Sequence, residues 1–243
     1  TSYHLAVVVD VLSFTTCVSV AADRGAAVFP YPWRDGSAQD FARERGAQLA
    51  GRRGAPGLSL SPASLREAPR LDRVVLPSPN GSTISHALAG LAPRVAAVSL
   101  RNARATAEWA AAVLPPGAPI AVVAAGEQWP GGTHRPALED LLGAGAFLDT
   151  LAEHRRTGFS PEARLAADAF AAARPRLRET LQECSSGREL IFAGYAADVE
   201  IAAELHASRS VALLADGAFR CVQTPPASRQ GRHSQGQSPG VSS

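Results

Sequence analysis

The chain is 243 residues long, 46% hydrophobic and 19% charged, with a formal net charge of +2. That is ample material for one large α/β core or two closely packed subdomains, and the scattered basic residues lack the clustered stripe of a nucleic-acid binder, so no nucleic-acid partner is expected. All 24 basic residues are arginine, which excludes chemistry built on an amine, such as a phosphate-loop lysine or a lysine Schiff base, but leaves planar guanidinium forks suited to oxyanions.

In chain order, Leu5 to Val11 is an apolar run that reads as a buried strand delivering Asp10 to its C-terminal edge, the place where α/β sheets bind ligands. A helix follows from Ser13 to Ala22, stopped by Gly25. A strand over 26–31 precedes an amphipathic helix over 35–53 and a Gly/Pro/Ser-rich loop through Ser64. The strand 73–76 runs into Pro77-Ser78-Pro79-Asn80-Gly81-Ser82-Thr83 and a helix near 84–91. Val95 to Leu100 is a further strand, followed by Arg101-Asn102-Ala103 and a helix over 106–114. The strand 120–124, a long loop and a helix over 136–151 come next, then helical stretches over 161–181 and from Ser185, the latter interrupted by Gly194 and resuming over 198–206. Strands 211–215 and 218–222 flank Asp216-Gly217, a two-residue hairpin signal. From Thr224 onward polar residues without periodicity predict a disordered tail, 224–243, behind a single domain over 1–223. Alternating strands and helices predict a three-layer α/β/α sandwich with a mostly parallel, mixed sheet.

Four strand ends carry an acidic or oxyanion-binding group. Asp10 is the kind of isolated carboxylate that Mg²⁺ takes, and equally a helix cap. Asn80, Gly81, Ser82 and Thr83 lie between a strand and a helix, where free N–H groups and hydroxyls can cradle phosphate, or form a plain Asn-Gly turn with a cap. Arg101 and Asn102 follow another strand, and Arg101 can bind a phosphoryl or sulfonyl group or make a surface ion pair. Glu139 and Asp140 fall in the first turn of a helix that Pro136 opens, where the dipole favours acids whether or not they bind metal.

Cys17, Cys184 and Cys221 are odd in number and widely spaced, so neither a disulfide framework nor a zinc site is expected, and a reducing cytoplasm fits. Cys17 and Arg24 do not make a cysteine-phosphatase loop, because six residues without a glycine separate them. No apolar run reaches the roughly 18 residues of a membrane span, so no membrane partner is expected. The absence of methionine and the opening almost directly on a strand imply that the natural start, with an upstream strand, is missing.

Taken in order, Val9-Asp10-Val11-Leu12 with Thr15-Thr16, Asn80-Gly81-Ser82-Thr83, Ser99-Leu100-Arg101-Asn102-Ala103, Glu139-Asp140 with Gly143-Ala144-Gly145-Ala146, and Ser186-Gly187-Arg188 before Gly194-Tyr195 and Asp198 resemble the 2-phosphosulfolactate phosphatase (ComB) family. The resemblance runs from about Leu5 to Val222. It implies a ComB-like three-layer fold, Mg²⁺ dependence and hydrolysis of (2R)-2-phospho-3-sulfolactate to sulfolactate and phosphate. In this chain Ser13 and Phe14 replace the Arg-Ala of the family's Asp-Val-Leu-Arg-Ala-Thr-Thr motif, which removes one arginine able to touch an anion.

The expectation is therefore a cytoplasmic phosphatase for a small anionic phosphomonoester. Asp10 and Glu139 would hold Mg²⁺, with Asp140 beside them as a third catalytic acid, while Thr15, Thr16, the Asn80 to Thr83 loop, Arg101, Asn102 and Arg188 would bind substrate. A water activated by the metal or an aspartyl-phosphate on Asp10 would carry the reaction. A phospho-hydroxy acid lacking the sulfonate is the alternative substrate, and a non-catalytic anion- or nucleotide-binding module the alternative class. Asp149, Asp198 and Glu200 are left without a role, and a homodimer is the base-rate expectation for quaternary structure.

Overall fold

The computed structural model describes residues 3–32, 36–155 and 158–222. One eight-stranded sheet runs through it in the order β3-β4-β2-β10-β9-β5-β1-β6. These strands are β1 (Leu5–Val9), β2 (Ala27–Tyr31), β3 (Gln48–Leu49), β4 (Arg73–Pro77), β5 (Val95–Val98), β6 (Ile120–Ala124), β9 (Val211–Ala215) and β10 (Ala218–Val222). Within β3-β4-β2 and within β5-β1-β6 the pairs are parallel. The β9–β10 hairpin joins the two blocks through antiparallel pairs on both sides. Asp216 and Gly217 turn that hairpin at φ 50° and 74°, the left-handed pair that an Asp-Gly dipeptide favours. Three antiparallel steps separate the blocks, so they run in opposite senses. The loop after β4 nonetheless meets the loop after β1, where the Gly81 amide donates to Asp10 at 2.9 Å.

Helices cover both faces. Leu5, Val7 and Val9 of β1 pack with α5 (Ala103–Val113), α6 (Leu138–His154), α7 (Pro161–Ala173) and α8 (Leu177–Glu183), while Ala6 and Val8 pack with α1 (Phe14–Asp23), α3 (Pro62–Glu67) and α4 (Gly81–Ala89). This explains why β1 is apolar without alternation: it is buried on both sides. α1 is likewise buried from Phe14 to Ala22, and its residues are small or apolar around the whole circumference, the composition of an internal helix. On the β2–β4 part of the sheet, α2 (Ser37–Glu44) closes the layer over Phe29 and Val75. The result is the three-layer α/β/α sandwich that the alternation of elements implied.

Several boundaries differ from the sequence reading. β1 stops at Val9, because the backbone beyond it turns around Asp10. The helix expected over 35–53 ends at Glu44, where Gly46 adopts φ 56° and β3 begins at Gln48; Asp35 itself lies outside the described residues, as does the tail 224–243. The loop expected through Ser64 contains α3, whose Pro62 sits at its start and whose Ser61 caps it by accepting from the Ser64 amide at 3.3 Å. The stretch 161–181 is broken at Pro175, which removes a backbone donor and leaves a 3₁₀ turn between α7 and α8. α6 starts at Leu138, two residues beyond Pro136, and runs three residues past Leu151 to His154. Near the C-terminus α9 (Ser185–Phe192) and α10 (Ala196–Ala202) flank Gly194. A small hairpin of β7 (Glu127–Gln128) and β8 (His134–Arg135) lies in what reads from sequence as a loop, too short to show a period. Among the described residues no helix is long and apolar enough to cross a membrane.

Candidate active site

Asp10 is the first residue after β1, and the chain wraps around it. Its Oδ1 accepts from the Phe14 amide at 3.1 Å and its Oδ2 from the Gly81 amide at 2.9 Å, so one carboxylate joins the N-termini of α1 and α4. Thr15 fixes the turn: its Oγ1 accepts from the Asp10 amide at 3.0 Å and donates to the Asp10 carbonyl at 2.8 Å. Thr16 Oγ1 donates to the Val11 carbonyl at 2.7 Å. Both threonine hydroxyls, read from sequence as substrate ligands, bond to the Asp10 loop itself. Gly81 has to be glycine for space: a methyl group there would lie 2.3 Å from Phe14 Cδ1 and 2.7 Å from Asp10 Oδ2. Phe14 in turn packs edge-on against Phe219 at 6.1 Å, a core contact.

α6 brings the next two acids. Asp140 Oδ1 accepts from the Val11 amide at 2.7 Å and its Oδ2 from the Gly126 amide at 2.8 Å, tying the loop after β1 to the loop after β6. Glu139, 2% exposed, repels the Cys184 thiolate and so helps to raise that thiol, which donates to the Leu181 carbonyl at 3.2 Å. The Gly143-Ala144-Gly145-Ala146 stripe explains the close approach, since added methyl groups would lie 2.6 Å from Val11 Cγ2 at Gly143 and 2.1 Å from the Ala166 carbonyl oxygen at Gly145.

A fourth acid, Glu127 on β7, was missed in the sequence. Its Oε2 accepts from Asn80 Nδ2 at 3.0 Å, linking the hairpin to the N-terminus of α4. The available signal was the same that flags Asp10, an acid shortly after an apolar strand. β8 is anchored by Arg135, which pairs with Glu189 of α9 at 2.5 and 3.0 Å and covers Trp129.

Burial dominates the electrostatics. It pushes Asp10 up to about 6 against the opposing pull of the Phe14 and Gly81 amides, with Glu139 adding repulsion and Arg53 attraction. Burial, then repulsion from Asp10, pushes Glu127 up to about 7. Asp140 is raised well above the ordinary carboxylate range by burial and by its two acidic neighbours. Four mutually repelling carboxylates thus converge beside a helix N-terminus whose Ser82 and Thr83 amides have no acceptor among the described residues.

Other candidates lie elsewhere. Ser82 Oγ donates to the Leu76 carbonyl at 3.1 Å, and the Thr83 side chain is exposed. Arg101 is not brought to Asp10: its buried guanidinium donates to Glu204 and, at 2.8 Å, to Asp23. Asn102 Oδ1 accepts from the Ser99 amide at 2.8 Å, and its Nδ2 donates to the carbonyls of Ala97 and Ser210 at 3.0 and 3.3 Å. Arg188 is exposed on α9. Glu200 pairs with Arg178 at 2.5 Å, and Asp149 lies ten residues, about 15 Å, along α6 from Glu139. Cys17 is buried and its thiol pushed well up by that burial, and Arg24 donates to the Leu65 carbonyl at 2.6 Å, so no cysteine-phosphatase loop exists here. A cavity of about 780 Å³ between β6, α6 and α7 contains none of the four carboxylates.

The sequence model of a family described as 2-phosphosulpholactate phosphatase matches residues 1–217. A protein of Carboxydothermus hydrogenoformans named "Probable 2-phosphosulfolactate phosphatase" is 30% identical over 208 residues, covering 82% of each chain. Fold, site and comparisons together define a phosphoric monoester hydrolase of the layered α/β type. The chain belongs to the 2-phosphosulfolactate phosphatase family.

Proposed function

We propose that the protein hydrolyses (2R)-2-phospho-3-sulfolactate to (2R)-3-sulfolactate and phosphate at the Asp10 site, with Mg²⁺ held by Asp10 and Glu139. The substrate follows the name of the Carboxydothermus relative. The observation that carries the site is Asp10 set between the N-termini of α1 and α4, with the unpaired Ser82 and Thr83 amides alongside.

The donors suit a hard dication: oxygen only, carboxylate, and repelling one another strongly enough to raise Asp10 and Glu127. Among the described residues no three acids stand close enough to share one ion. Mg²⁺ takes one or two carboxylates and leaves its other positions to water and phosphate, so Asp10 and Glu139 would be enough to hold it. When bound, Mg²⁺ supplies positive charge that offsets the phosphoryl oxygens and the carboxylates together.

The protein's own groups do the positioning. The Ser82 and Thr83 amides, at the positive end of α4, orient phosphoryl oxygens, and Gly81 lets that helix end approach Asp10 closely enough to present them beside it. Both Asp10 oxygens receive backbone N–H bonds, which holds that carboxylate as a fixed ligand and leaves water to attack phosphorus. As the water's oxygen bonds to phosphorus and the ester P–O bond breaks, the departing alkoxide takes a proton from Glu127, which is raised to about 7 and whose Oε1 is left by the Asn80 contact to carry it; the proton lost by the attacking water then returns to Glu127. Asp140 keeps the loops after β1 and β6 in register.

A second reading, a phospho-hydroxy acid without the sulfonate, is favoured by Ser13 and Phe14 at the family's Arg-Ala positions. Phosphate release from 2-phosphosulfolactate and 2-phospholactate, with Mg²⁺ and after chelation, separates them. Preference for the sulfonated ester, lost on chelation, is the expected result. Mg²⁺-dependent release that prefers 2-phospholactate moves the assignment to the second reading, and release that survives chelation removes the metal from it.

A further inference from the structure

Arg53 stands in a loop between β3 and α3 that nothing in the sequence pattern marks. Its guanidinium crosses to the start of α1, where Nη2 donates to Ser13 Oγ at 2.6 Å, and its Nε donates to Asp198 Oδ2 at 3.2 Å. The Asp198 side chain is 1% exposed, and its other oxygen accepts from Ser61 Oγ at 2.6 Å and the Ala63 amide at 3.1 Å. The Tyr195 ring lies 5.5 Å from the guanidinium carbon. The starts of α1 and α10 therefore hold one cation, and the start of α3 fixes the carboxylate that pairs with it. Among the described residues Nη1 donates to nothing, and the side chain keeps 22% exposure. It also acts on Asp10, lowering its affinity for a proton.

The position of this cation is informative. Asp10 Oδ2 faces the Gly81 amide and the α4 cradle, whereas Oδ1 faces the Phe14 amide, next to the residue Arg53 grips. An anion on the α4 amides would meet the Oδ2 side of this carboxylate, while Arg53 holds Ser13 beside the Oδ1 side and so stands where a second anionic group of the same substrate could reach it. A buried acidic cluster repels an anionic substrate unless a fixed cation meets it, and Arg101, the other internal guanidinium considered, is already held by Asp23 and Glu204.

We propose that Arg53 binds the sulfonate of the substrate, the anionic group that is not transferred, and that Asp198 is the positioning residue that aims it. The inference rests on the phosphatase reading and deepens it: the arginine absent from position 13 has its work done by one reaching in from position 53. The guanidinium fork matches the oxygens of a sulfonate and stays charged at any working pH.

The test is a binding measurement that needs no turnover. Calorimetric Kd values for the product sulfolactate and for inorganic phosphate are compared among the wild type, Arg53→Gln and Asp198→Asn, each checked for fold by circular dichroism. The expected result is a weakening of sulfolactate by about 10- to 100-fold in Arg53→Gln, the loss of a charge-assisted contact, with phosphate affinity retained. Asp198→Asn weakens sulfolactate in the same selective way. In parallel, the kcat/KM preference of Arg53→Gln for 2-phosphosulfolactate over 2-phospholactate falls by a similar factor. Equal weakening of both ligands, or of neither, overturns the proposal. If Arg53→Gln does not fold, Arg53→Lys, which keeps charge but loses the fork, takes its place with the same selective weakening expected. Should the wild type bind sulfolactate tightly through Arg53 yet release no phosphate from any ester, the phosphatase reading fails while the sulfonate site stands.

Discussion

Asp10 shows how one side chain can serve fold and chemistry together. Its carboxylate satisfies amides at the starts of two helices, while burial and its acidic neighbours hold its pKa near 6. Asp10→Asn puts an NH₂ group against one of those amides, so a loss of about 1–3 kcal/mol in stability is expected. A fall of at least about 100-fold in kcat is expected beside it, the size of effect seen when a group aimed at developing charge is removed. A denaturant melt and steady-state kinetics separate the two, and near-normal kcat would remove Asp10 from the reaction. Arg101 is the contrasting residue. It carries the sequence signature of an anion ligand but is enclosed by Asp23 and Glu204. Arg101→Ala should therefore destabilise the protein by about 3 kcal/mol, as breaking a buried pair does, and leave KM in place. A raised KM in a fully folded variant would return Arg101 to the site.

At the scale of elements, the site exists because helices approach strands closely where glycine permits it. Gly81 sets α4 against Phe14 and Asp10, and Gly143 sets α6 against Val9 and Val11. Gly81→Ala forces α4 or the Phe14 ring to move, with an expected cost of about 1–3 kcal/mol and a drop in kcat/KM of at least tenfold as the amide leaves Asp10. Thermal melting with kinetics checks both, and an unchanged kcat/KM would show that the α4 amides do not hold the substrate. The β7–β8 hairpin illustrates the opposite case. It is fixed less by its own two-residue strands than by the Arg135 pair to Glu189 and the Asn80 contact to Glu127.

At the scale of the whole molecule, the β9–β10 hairpin joins the blocks, pairing with β2 on one side and β5 on the other. Deleting 211–222 would leave two three-stranded blocks with unpaired inner edges, and loss of cooperative thermal unfolding is the expected outcome. The buried acids also make stability depend on pH. Asp10 and Glu127 titrate near 6 and 7 when folded, against 3.8 and 4.5 ordinarily. Between those values the folded chain holds more protons than the unfolded one. The contribution of these two acids to the stability of the metal-free protein is thus fully present below about pH 4 and is lost as pH rises through 6 to 7. Mg²⁺ competes with those protons, so it should raise Tm more at pH 8 than at pH 5. A Tm shift equal at both values would contradict a carboxylate metal site.

Much of the architecture was legible because it rests on local rules. The unbroken apolar run of β1 announces burial on both faces, the Asp216-Gly217 pair makes its turn by itself, and the alternation of strands and helices selects the layered fold. Asp10, Asn80, Gly81, Glu139 and Asp140 could be picked out because each follows a strand or opens a helix, where ligand groups gather at a sheet edge. Glu127 carried the same signal, an acid shortly after an apolar strand, and Asp198 stood among the family motifs, whereas no local pattern marked Arg53; what the sequence withheld was their partners, Asn80 for Glu127 across 47 positions and Arg53 for Asp198 across 145. Nor could the sequence decide that the Thr15 and Thr16 hydroxyls bond to the Asp10 loop or that Arg101 lies within an ion pair, because a side chain's partner is chosen by packing and not by its neighbours in the chain. The sequence by itself determined the family, the layers and the strand ends where acids would stand. Tertiary structure alone decided which of those groups meet, because convergence depends on the central hairpin and on helix approaches that only glycine allows.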